Sequence, residues 1–374
     1  MPAMIVRKKT RMPWTVLMMA AMGCSNESAA PCEGEECVAS EADGVRPCTK
    51  KRPCTDAGGG GGTGTADGGT TDGGSTDGGS TDGGVPLADG GTVDAAPSGA
   101  CTGTKHTAGG PDGAGGCWPG PSNTGVPDGI SLAPYSGPCT IDVAGTVIDG
   151  KAIDCSLSIR AANVTIKNSR VRGSVSTQNS GSFTIVDSEV HVGRVGSAGG
   201  TGLGSENFKA IRVEVTGGNR GAWCNNCTIQ DSWIHGQDVE NVYFHASGVR
   251  QDQGATLIHN TVVCDIPDNS LGGGCSASLT GYGDFAPVQN NRIERNLFPA
   301  STGGACAYGG SSGDNGTKEY GDQASNIAFV GKVFQRGPTG KCGYWFAVVD
   351  FDPSRPGNVF TGNTWEDGAT VQPQ

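Results

Sequence analysis

The sequence predicts an all-β fold, a single-stranded parallel β-helix (solenoid) behind a disordered Gly/Asp/Thr-rich linker. Three observations carry this. The stretch NVTIKNSRV at 163–171 returns as SFTIVDSEV at 182–190, NCTIQDSWI at 226–234 and ATLIHNTVV at 255–263. The copies keep their apolar pattern while the intervals between them vary, as in a solenoid whose coils stack and take insertions in their loops. The elements are short, β-branched and rich in Asn and Ser, without sustained 3.6-residue periodicity, so strands build the coils.

The chain opens on VRKKTR, a basic run, followed by WTVLMMAAMG, an apolar run too short to span a bilayer. Ala21-Met22-Gly23-Cys24 then resembles the lipobox of bacterial lipoproteins. That resemblance implies a signal over 1–24, acylation of Cys24, and a lipid-anchored place in the cell envelope, at the outer membrane or cell surface. Of the 15 cysteines, removing Cys24 leaves 15 − 1 = 14, an even number in an exported chain. Near pairs predict disulfides: Cys101 with Cys117, Cys139 with Cys155, Cys264 with Cys275, and Cys306 with Cys342. The CNNC at 224–227 reads as a disulfide or as two structural half-cystines; it lacks the βα context of a redox motif and the ordered partners of a zinc site.

Residues 25–56 form a polar segment holding Cys32, Cys37, Cys48 and Cys54. Residues 57–100 carry Gly, Asp and Thr with little apolar surface to bury, which predicts a disordered tether spanning roughly 35 Å. Residues 101–137 are expected to form an N-terminal cap region, and 138–374 the β-helix domain.

Within that domain each copy turns on one residue: Asn168, Asp187, Arg212, Asp231, His259, Arg295, Gly331 and Gly362. An apolar residue stands two positions before each and another three after, from Ile166/Val171 to Phe360/Trp365. Equivalent residues of adjacent coils should touch at about 4.8 Å. The spacing of Cys306 and Cys342, 342 − 306 = 36, equals the local interval 331 − 295 = 36, so the two should lie one rung apart and within disulfide reach. The repeated TIxNSxV resembles the right-handed parallel β-helix superfamily of pectate-lyase-like proteins over about 138–368. That resemblance implies the right-handed coil and is nearly silent on chemistry.

A formal charge of −11 argues against nucleic acid as partner, while leaving room for a locally basic groove. The bend column reads as an Asx ladder that satisfies turn backbone. Arg172, His191, Thr216, His235 and Val263 should share an outward column. The run WIHGQDVENVYFHASGVRQDQG at 233–254 concentrates His235, Asp238, Glu240, His245, Arg250 and Asp252. Its HASGVRQ resembles an HxDGIQ-like strand of β-helix carbohydrate enzymes, with Ser247 in place of the acidic residue. Alternation sends His245 outward, and Ser247-Gly248 must bend the strand for Val249 to turn in and Arg250 out.

Loops downstream add Tyr282, Asp284, Tyr308, Lys341, Tyr344 and Trp345, the flat faces and polar groups that sugar rings require. The leading functional expectation is a polysaccharide lyase acting on a uronic-acid-containing glycan. Arg250 would neutralise the carboxylate, His245 would take the proton, and His235 or Tyr282 would protonate the leaving oxygen. Calcium held by Asp238 and Asp252 is the alternative neutraliser. A glycoside hydrolase would instead pair carboxylates from Asp238, Asp252 and Asp284. The third expectation is a non-catalytic, lipid-anchored glycan-binding or surface-structural protein. In each case the partner is a polysaccharide, the membrane is met only through the lipid, and the chain is expected as a monomer.

Overall fold

The computed structural model describes residues 100–196, 199–240, 244–268, 270–311 and 318–374. The signal, Cys24, the cysteine segment and the linker lie outside the described residues. So does Tyr243.

Among the described residues every regular element is a strand apart from one 3-10 turn, Gly321–Gln323. The strands fall into three ladders, all paired in parallel. A typical coil contributes Thr201–Gly204, Glu206–Ile211 and Glu214–Thr216, one strand to each ladder. We call these faces I (Thr201–Gly204), II (Glu206–Ile211) and III (Glu214–Thr216). The order I, II, III then recurs along the chain, and the long strand Arg220–Gln230 serves faces I and II together. Face III alone runs through ten strands, from Ala133–Pro134 to Thr364–Trp365. Stacked parallel ladders of this kind are compatible with a parallel β-helix.

The core follows the repeat. Ile166 pairs in register with Ile185, which pairs with Ala210, then Ile229, Leu257, Ile293, Phe329 and Phe360. All but Phe360 are fully buried, and Phe360 packs against the same cluster. Every bend residue adopts positive φ, from +47° at Arg295 to +65° at Gly362. A single left-handed residue turns face II into face III, which explains why Asn, Asp and Gly recur there. The polar bend side chains pair along the column: Arg212 grips Asp187 at 2.6 and 2.8 Å, and His259 Nδ1 lies 2.6 Å from Asp231.

After every bend but Arg212, which Val213 follows, the next residue points inward and is polar; six of these are Ser169, Ser188, Ser232, Asn260, Asn296 and Asn363, all essentially inaccessible. Each serves the coil before it. Asn260 Oδ1 accepts from Ser232 N–H at 2.9 Å while its Nδ2 donates to Ile229 O at 2.8 Å. Asn296 repeats this toward Asn260 N–H and Leu257 O. Lys332 occupies the same column, and its ammonium donates to Ile293 O at 2.6 Å where an Asn amide would otherwise reach. Burial holds that amine well below its ordinary pKa, with the Glu294 charge opposing weakly.

Faces I and III approach closely because Gly202, Gly221 and Gly248 share one column. A Cβ there would meet Val215, Ile234 and Val262 side chains within 2.2 to 2.7 Å. Among the described residues, five disulfides join Cys101–Cys117, Cys139–Cys155, Cys224–Cys227, Cys264–Cys275 and Cys306–Cys342. The last pair sits one rung apart with Cα atoms 5.7 Å from each other.

Residues 101–125 do not cap the start of the stack. The segment packs against later coils instead: Trp118 stacks on His259, joins Leu297 and Val333 in a small apolar cluster, and donates to His106 Nδ1. Gln335 donates to His106 O, and Gly125 N–H reaches Arg212 O. The apolar side of Trp118 finds its cover there, which local sequence does not announce.

Candidate functional site

The candidate site residues fall into three separate groups. The first is buried on face I. Register aligns Trp223 with Arg250, and the pairing of His245–Gln251 with Gly274–Thr280 shifts between Ala246 and Ser247, where Ser276 is the extra residue on the second strand. Val249 is fully buried in the core, and Arg250 turns away from it.

Arg250 does not reach solvent. It is 3% exposed, stacked between the Trp223 and Phe285 rings, and ion-paired to both Asp252 and Asp284. Trp223 Nε1 donates to the other Asp252 oxygen at 2.5 Å. Arg250 Nε and Asp252 Oδ1 stand 3.3 Å apart without hydrogen-bond alignment, so their attraction is electrostatic. Burial works against the guanidinium charge, but Asp252 and Asp284 outweigh it and hold the group above its ordinary pKa. Burial raises the Asp252 carboxyl despite the pull of Arg250 and Trp223. Trp223 and Phe285 were missed by the sequence reading. The signal for Trp223 is its place one rung before Arg250.

Beside this cluster Tyr282 and Tyr308 pack at 5.0 Å, with the Lys318 ammonium 4.8 Å over the Tyr282 ring. Tyr308 is pushed up by burial and by Asp350. Its backbone carbonyl accepts from Gln251 Nε2.

The second group lies at the beginning of face I. His245 is exposed, with Nε2 3.3 Å from Gly272 O, and its backbone pairs with Gly274. Over the next coils, Tyr344 N–H bonds to Gly303 O and Trp345 N–H to Gly304 O, with the Trp345 ring against Gly304. Gly303 in turn abuts Ser276. His245 and the aromatic pair are thus about three rungs apart, roughly 14 Å. Tyr344 is 63% exposed and Trp345 58%, edge to face at 4.9 Å, with Leu271 57% exposed on the same rim and exposed Lys341 beside them in the chain.

The third group is on and beside face III. Arg172, His191 and Thr216 stand in register, and His235 follows Ile234 one rung on; Val263 continues the register but is buried, so the outward column ends at His235. His235 stacks on Trp233 at 3.6 Å and lies 3.0 Å from Glu214; Asp238 pairs with Arg194. The structure therefore does not bring His235 or Asp238 to Arg250. Asp238 and Asp252 bind different arginines and bond to Gly218 and Cys224 respectively, so they do not form a joint calcium site. Among the described residues no three His, Cys, Asp or Glu side chains converge as a metal-holding group.

No protein-family model, curated protein or solved structure matches the chain.

Proposed function

We propose that this protein is an extracytoplasmic carbohydrate-binding β-helix, anchored to the cell envelope through Cys24, whose ladders wind right-handed in the pectate-lyase-like manner. The observation that carries this reading is the exposed Tyr344–Trp345 pair on the rim of face I. Soluble proteins hide such rings unless something covers them, and sugar rings stack on flat apolar faces. Lys341 adds a cation for an acidic glycan. Arg250 anchors the loop that carries Asp284 and Phe285, apart from this rim.

Lyase activity at the same rim is the second reading, and exposed His245 favours it: a general base must meet its substrate. Arg250, enclosed by two carboxylates, supplies no free cation to a substrate uronate, so neutralisation there falls to Lys341. The test is binding of the full chain to a panel of acidic and neutral polysaccharides, with unsaturated-uronate absorbance and reducing ends followed separately. Trp345→Ala is expected to weaken binding about tenfold. Binding that is indifferent to both Tyr344→Ala and Trp345→Ala overturns the proposal. A uronate signal abolished in His245→Ala establishes the lyase.

A further inference from the structure

We propose a second binding site, on face II, for an extended oligosaccharide bearing an anionic group. A trough of about 400 Å³ runs over five successive coils there. Its lining includes Asn163, Thr184, Asn207, Lys209, Thr228 and Thr256. Thr184, Lys209, Thr228 and Thr256 form one outward column in unbroken register. The trough is roughly 19 Å long, four steps of about 4.8 Å.

Three features specify the ligand. First, the lining contains no Asp or Glu, although the whole chain carries a charge of −11. Second, Lys209 is its only charged residue and makes no ion pair among the described residues, while the other cations facing out from this ladder are neutralised. Lys167 is held by Asp149 at 3.1 Å and Arg292 by Glu294 at 2.6 Å. Third, hydroxyls and amides recur at the rung spacing on both sides of Lys209. The Thr184, Thr228 and Thr256 hydroxyls have no hydrogen bond within the described protein, so they are open to a ligand. One edge is set by the left-handed residues Asn163, Asn207, Asn226 and Gly254, with Asn226 Nδ2 donating to Asn207 Oδ1.

An elongated ligand rich in hydroxyls, with a carboxylate or sulfate near its middle, matches this pattern. Burying the Lys209 charge against that anion adds one charge-assisted hydrogen bond in a groove with no competing carboxylate. The site is on a different ladder from the Tyr344–Trp345 rim and does not depend on it.

The test measures binding of polygalacturonate, its methyl ester and a sulfated glycosaminoglycan to the full chain by calorimetry, with polyglutamate as a non-sugar polyanion. Lys209→Met is expected to weaken polygalacturonate about five- to tenfold, to leave the methyl ester unchanged, and to remove most of the salt dependence. Thr228→Val is expected to weaken polygalacturonate and methyl ester alike. The carboxylate and sulfate arms identify which anion is preferred. In the Trp345→Ala background the Lys209→Met factor is expected to persist, which separates this site from the rim. Equal affinity in wild type and Lys209→Met, or polyglutamate binding as tightly as polygalacturonate, overturns the proposal. Both substitutions are outward-facing, and unchanged thermal unfolding confirms that the coil is intact.

Discussion

The early coils and the late coils share a core but differ in what surrounds it. Between Asn168 and Asp231 successive bends are 19 to 25 residues apart, and most ion pairs stay partly exposed: Arg170 with Glu189, Arg172 with Asp154, Arg194 with Asp238, while Arg212, paired with Asp187, and Arg220, over the Trp223 ring, are buried. Beyond His259 the interval grows to 36, and the extra residues fold over face I. There they bury Arg250 between two carboxylates and raise Tyr344 and Trp345 into solvent. The repeat thus supplies a scaffold of constant section, and added loop length alone converts a plain face into one with both an internal charge cluster and an exposed recognition rim.

The largest test of that contrast compares two arginines. Arg250→Met strands two carboxylates in the interior and should cost about 3–5 kcal/mol in chemical unfolding, whereas Arg170→Met, at a half-exposed pair, should cost under about 1. Adding Asp252→Asn and Asp284→Asn to Arg250→Met should recover most of the loss. If the two arginines cost the same, the late cluster is not the support described.

The disulfides give the next largest difference. Cys306 and Cys342 close a 36-residue separation, Cys224 and Cys227 one of 3. Replacing the first pair by Ala should cost about 3–4 kcal/mol and the second about half that, read from denaturation midpoints.

Lys332 sharpens the comparison further, because the early coils place Ser in its column. Its folded pKa lies below the ordinary 10.5, so the unfolded chain binds more protons between the two values, and stability rises with pH across that window. Lys332→Asn should remove the slope and add about 1 kcal/mol, since Asn both donates to Ile293 O and accepts from Asn296 N–H. A loss of stability would show that the ammonium contributes more than the ladder.

The smallest effect belongs to the bends between faces I and II. Asn226→Gly should be nearly neutral and Asn226→Ala should cost about 1 kcal/mol, by the left-handed backbone at φ +50°.

The bend residues and the Cys306–Cys342 pair were legible because the stacked repeat brings the same backbone geometry back at equivalent positions. A second left-handed column, at Asn163, Asn207, Asn226, Gly254, Asn290, Asn326 and Gly357, escaped notice. It was also written in the chain: each member stands five before its bend residue, as 168 − 163 = 5 and 331 − 326 = 5 show. The site was less legible. Clustered titratable residues in 233–254 look like one centre, yet the coil sends His235 and Asp238 toward face III and His245 and Arg250 to different depths of face I. Linear proximity does not convey which side of a coil a residue occupies, nor that Asp284 from a distant loop would claim Arg250. The contacts of Trp118 were illegible for the same reason, since its neighbours lie more than a hundred residues ahead.

The buried Ser/Asn column has a consequence for how the molecule is made. The amide groups of Ser232 and Asn260 find acceptors only on the coil that follows, at Asn260 and Asn296. A coil at the end of a growing stack therefore keeps one corner amide unsatisfied until its successor docks, so each turn is completed by the one that follows it.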